Sequence, residues 1–155
     1  MEPIRVGPVP TGRGSPGVYL TIERDGDPYA RVDAWPLHGG PFIECVVWRE
    51  YVALGWGGSF HLIDPLARDV RSFEFEIYFG HLYPLAEKLL VASESDLMCL
   101  NAQRDVVWRS ARLGIDGVVV DRVVDDLVIG KGEWDPPGGW KPFRLSLVSG
   151  RPAAR

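Results

Sequence analysis

The chain has 155 residues, of which 18 are Gly and 13 are Pro, so about a fifth of its positions interrupt regular structure. Average usage gives roughly 12% for the two together, and the excess excludes a helical bundle in favour of short segments joined by tight turns. At 46% hydrophobic and 25% charged the chain is too apolar for disorder, and its net charge of −4, with Lys and Arg scattered singly, leaves no positive stripe for nucleic acid.

The first 17 residues carry Pro3, Pro8, Pro10 and Pro16 with Gly7, Gly12, Gly14 and Gly17. Residues 10–17 read as a flexible lead-in, and Ile4 to Val9 as a candidate edge strand. From Val18 the pattern alternates: Val18, Leu20 and Ile22 share one side, Asp25, Gly26 and Asp27 form a turn, and Tyr29 to Trp35 returns as the second strand of a hairpin. Gly39, Gly40 and Pro41 break the chain before Phe42 to Trp48. Residues 18–150 are expected to form a single β domain, with 151–155 as a disordered tail.

An internal repeat follows. Tyr51 to Asp64 (YVALGWGGSFHLID) aligns without gaps on Lys88 to Asn101 (KLLVASESDLMCLN), 37 residues further on. Val52 falls on Leu89, Leu54 on Val91, Phe60 on Leu97 and Leu62 on Cys99, while the turn Gly57, Gly58, Ser59 falls on Glu94, Ser95, Asp96. After one residue of slip, Arg68, Asp69, Val70 matches Arg104, Asp105, Val106, with Phe73 and Trp108 closing the two copies. A third copy begins at Leu127, Val128, Ile129 and resumes at Phe143, Arg144, Leu145. Strands are expected near 52–56, 60–64, 89–93, 97–101, 127–131 and 143–148. Propensity alone would start a helix at Pro84 (PLAEKLLVASES), but the same alignment places Gly55, Gly57 and Gly58 opposite that segment, and strand is the expectation.

A strand, a turn, a second strand, a polar turn and a third strand ending in an aromatic resemble the blade of a β-propeller of the quinoprotein-like or WD40-like kind. The resemblance covers about residues 42–150 and brings no catalytic residues. It implies an all-β fold of antiparallel blade repeats, either a minimal propeller-like assembly or an open curved sheet.

The third copy departs from the others at Trp134 to Pro142 (WDPPGGWKP), which stands where they have a tight turn. Loops on a rigid sheet are where recognition is usually built, and two Trp beside restrictive Pro offer apolar area at reduced ordering cost. The surrounding GKGEWDPPGGWKPF also resembles a segment of short bacterial proteins of this length, which implies no activity. The candidate binding residues are Trp134, Asp135, Trp140, Glu133, Asp116 and Trp56. The competing structural reading has Trp134 and Trp140 folding back to cap a sheet edge, and Asp116, between Gly114 and Gly117, serving as a turn former.

Other chemistry finds little support. His38, His61 and His81 form no HxxxH or HExxH motif, and CxxC, GxSxG and GxxxxGK[ST] are absent. GWGGS at 55–59 lacks the Lys of a phosphate loop, and no loop has the alternating carboxylates of a Ca²⁺ site. No catalytic residue, metal or cofactor is expected. Cys45 and Cys99 lie in apolar runs and are expected as buried, reduced thiols. No N-terminal signal peptide is recognisable, and no run approaches the roughly 18 apolar residues of a membrane span, so a cytoplasmic, non-enzymatic binding module is expected. Its expected partner is a protein, met in an adaptor-like or immunity-like role, with a small molecule or carbohydrate stacked on Trp134 and Trp140 and fixed by Glu133 or Asp135 as the alternative. Neither nucleic acid nor membrane is expected as a partner, and the oligomeric state is left open.

Overall fold

The computed structural model describes residues 1–11 and 14–154, and all regular structure among them is β-strand. Two compact units divide the chain, Met1–Tyr78 and Phe79–Arg155.

In the first unit, β1 (Ile4–Val6), β2 (Val18–Arg24) and β3 (Asp27–Ala34) form a sheet in the order β1-β3-β2. β2 and β3 are an antiparallel hairpin, whereas β1 runs parallel to β3 with Ile4 opposite Val32. The hairpin turns through Asp25 and Gly26, both at positive φ (53° and 87°), the mirror-image geometry that follows the twist of the strands. The lead-in expected at 10–17 includes Gly12 and Arg13, which lie outside the described residues.

The second sheet of this unit is an antiparallel meander of β4 (Ile43–Trp48), β5 (Tyr51–Trp56), β6 (Ser59–Asp64) and β7 (Asp69–Glu74). Side chains alternate across a pleated strand. Val52 and Leu54 of β5 and Ile63 of β6 therefore share one face, and they cluster with Ile4, Val6, Val32 and Ala34 of the other sheet. Cys45 departs from its expected burial and is exposed. It lies on the outermost strand, on the same face as Ile43 and Val47, which are 48% and 76% exposed. At that margin the face that buries Leu54 one strand inward is exposed.

The second unit repeats the meander with β8 (Phe79–Pro84), β9 (Lys88–Ser93), β10 (Leu97–Asn101) and β11 (Val106–Arg109), then adds β12 (Val118–Val124), β13 (Leu127–Glu133) and β14 (Trp140–Ser146) as a three-stranded antiparallel sheet. Leu89 to Ala92 and Leu97 to Leu100 are buried on both faces of the sheet, which explains their unbroken apolar runs. Their pairing reproduces that of the preceding sheet. Ala53 stands opposite Leu62, and 37 residues on Leu90 stands opposite Cys99. The polar turn between β9 and β10 is held by side chains: Ser93 Oγ donates to Asp96 Oδ1 at 2.7 Å, and Arg109 Nε donates to Asp96 Oδ2 at 2.8 Å. Trp108, the closing aromatic of this repeat, donates from Nε1 to the Leu147 carbonyl at 2.8 Å.

Residues 151–154 differ from the expected tail. Ser146 N–H donates to the Arg151 carbonyl and Ala153 N–H to that of Arg144, so the segment satisfies the outer edge of β14. Arg155 lies outside the described residues.

Candidate functional site

The hairpin β13–β14 is where the third repeat exceeds the other two. In the first copy Trp56 pairs with Ser59 across a two-residue turn at Gly57 and Gly58. In the third, pairing continues to Glu133 opposite Trp140. The segment 134–142 is thus not a nine-residue loop. Trp140, Lys141 and Pro142 belong to β14 and pair with Glu133, Gly132 and Lys131, leaving 134–139 as the connecting tip. β14 accordingly starts at Trp140 and ends at Ser146, rather than spanning 143–148.

Hydrogen bonds close this tip from within. Trp134 N–H donates to the Gly139 carbonyl and Gly139 N–H to the Asp135 carbonyl, both at 2.9 Å. Glu133 Oε1 accepts from Gly138 N–H at 2.7 Å, so this carboxylate holds the loop as well as facing the surface. Gly138, at φ +93°, adopts a backbone that other residues take at a cost. Trp134 and Trp140 are 37% and 39% exposed, and Asp135 is exposed between them.

The loop ahead of β12 docks against the same tip. Ile115 N–H donates to the Glu133 carbonyl at 2.7 Å, and Asp116 N–H reaches it at 3.3 Å. The Trp140 ring lies over Gly117, where a Cβ would come 3.0 Å from its Cη2 atom. Glu133, Trp134, Asp135 and Trp140 of the hairpin and Asp116 of the preceding loop therefore gather at one end of this sheet. Two neighbours escaped the sequence reading: Ile115, 41% exposed, and Lys131, whose Nζ lies 5.9 Å from the centre of the Trp140 ring. Lys131 is placed by its position in β13 and Ile115 by the backbone hydrogen bond of its loop to Glu133, and the sequence carries no local signal for either.

Trp56 belongs to the first unit. It is partly buried against the cluster of Ile4, Val32 and Leu54, and its ring occupies the space a Cβ on Gly17 would need. Cys99 is fully buried, and desolvation raises its thiol pKa to about 11 against an opposing pull from Lys88. Among the described residues no group of three or more His, Cys, Asp or Glu is arranged to hold a metal ion, and no helix is long and apolar enough to cross a membrane.

Meander sheets that recur at 37 residues, each offering its turns as surface, define an all-β fold built from propeller-type blades. BamB from Moraxella catarrhalis shares this fold: 99% of the present chain superposes on 49% of that one, with a TM-score of 0.61 and 14% sequence identity. The chain thus spans about half the length of this structural neighbour. No protein-family model and no curated protein sequence matches it.

Proposed function

We propose that this chain is a non-enzymatic protein-binding module whose working surface is the tip of the β13–β14 hairpin. The observation that carries the reading is the extension of that hairpin beyond its counterparts, ending in two exposed tryptophans fixed by backbone hydrogen bonds. Large aromatic groups on a pre-ordered loop contribute much of an interface's energy because little freedom is lost on binding. Glu133, Asp135 and Asp116 give the rim acidic character that favours a basic partner surface, and the reading places the protein in the cytoplasm, in keeping with its two free thiols.

The test is the double variant Trp134→Ala/Trp140→Ala, compared with the wild type for melting temperature and for retention of partners from the native cell. Tryptophans this exposed should leave the melting temperature within about 3 °C, while binding weakens by roughly 2 kcal/mol or more. A fall of ten degrees or so would instead identify the pair as an edge cap, since burying a Trp contributes about 3 to 5 kcal/mol. Retention by an immobilised oligosaccharide, lost in the same variant, would favour a carbohydrate ligand.

A further inference from the structure

The first unit contains a cavity of about 230 Å³ that the hairpin tip does not use. It arises from a change of character along one sheet face. At one end of β5, β6 and β7 this face presents Val52, Ile63 and Val70, which pack on the neighbouring sheet. Further along, the same face of β6 and β7 presents Ser59, His61, Ser72 and Glu74 as two cross-strand pairs, Ser59 with Glu74 and His61 with Ser72. Pro8 and Leu37 line the cavity as well. Ser59 and His61 are 3% and 4% exposed, and His61 Nδ1 shares a hydrogen bond with Ser72 Oγ at 2.8 Å.

The wall of this space is polar: His61 and Ser72 are hydrogen-bonded to each other, and hydroxyl oxygens, each with two acceptor lone pairs, stand beside a carboxylate. We propose that this cavity binds a small organic ammonium ion. An ammonium group brings three donors and no acceptor, and it meets the Glu74 carboxylate and the hydroxyl oxygens of Ser59 and Ser72, with its hydrocarbon part against Leu37 and Pro8. Among the described residues no Lys or Arg lines the cavity, and the Glu74 carboxylate repels an anion. Burial also holds His61 neutral, with a pKa lowered to about 4, so the imidazole does not repel a cation at neutral pH. The volume lies below the roughly 300 Å³ at which drug-sized pockets begin, which limits the ligand to a short-chain amine.

The test is a titration of the intact chain with propylammonium chloride at constant ionic strength, observed through the His61 ring resonances. Glycerol and inorganic phosphate serve as neutral and anionic probes. Propylammonium should shift the His61 signals saturably while glycerol and phosphate leave them in place. Glu74→Gln, on an exposed strand position, should weaken binding at least about tenfold with the melting temperature preserved, and Ser72→Ala should weaken it severalfold. A non-saturating response, an equal response to glycerol or phosphate, or undiminished affinity in both variants would overturn the proposal.

Discussion

A histidine taken out of water gives up its proton more readily, and burial lowers the pKa of His61 from 6.5 to about 4. Above pH 6.5 neither the folded nor the unfolded chain holds this proton, so stability does not depend on it. Between pH 6.5 and 4 the unfolded chain takes up a proton that the native state refuses, and stability falls with pH by on the order of 3 kcal/mol in all. The stability difference between wild type and His61→Asn, from urea unfolding, should therefore be flat above pH 6.5 and decline below it. A difference that stays constant down to pH 4 would contradict the burial argument. Desolvation raises the thiol pKa of both cysteines, and what divides them is exposure. Cys45, on an exposed position of β4, should react with a thiol reagent in buffer, and Cys99, fully buried, only once denaturant is added. Both occupy apolar runs of sequence, and only the position of each strand within its sheet separates them.

The element that decides the site is the β13–β14 hairpin, and its close contacts are made by glycine. A Cβ on Gly132 would collide with the Leu113 carbonyl, a backbone atom that cannot rotate away. Gly132→Ala should cost about 3 kcal/mol in chemical denaturation, as overpacking does. Gly138→Ala meets no neighbour within 4 Å and pays only for its positive φ, about 1 kcal/mol. Equal costs at the two positions would mean that the strand, rather than the backbone of residue 113, absorbs the change. The insertion itself was legible in the sequence, because the spacing of apolar residues jumps between Glu133 and Phe143. Its division into paired strand and tip was not, since Trp140, Lys141 and Pro142 carry turn-like composition and become strand through their partners 131–133. The docking of Ile115 and Asp116 on Glu133 was equally hidden, being a backbone contact between a loop and the end of β13.

Across the whole molecule, repetition overrode local preference. The segment after Pro84 has no Gly or Pro until Gly114 and contains strong helix formers, yet Lys88–Ser93 is a strand buried along most of its length. The reason lies in its neighbours: Leu89 to Ala92 pair with β8 on one side and β10 on the other, and this lateral pairing is worth more than the few tenths of a kcal/mol per residue that helix propensity supplies. Two measurements separate these contributions. A peptide of residues 84–97 alone, in trifluoroethanol, should become helical, because nothing remains to pair with it. The intact chain in buffer should give a far-ultraviolet circular dichroism spectrum of β type without helical minima, since no described residue is helical. A helical spectrum from the intact chain would show that the 37-residue pairing does not form. A peptide that stays unordered in the alcohol would show instead that this segment had little helix preference for the sheet to overcome.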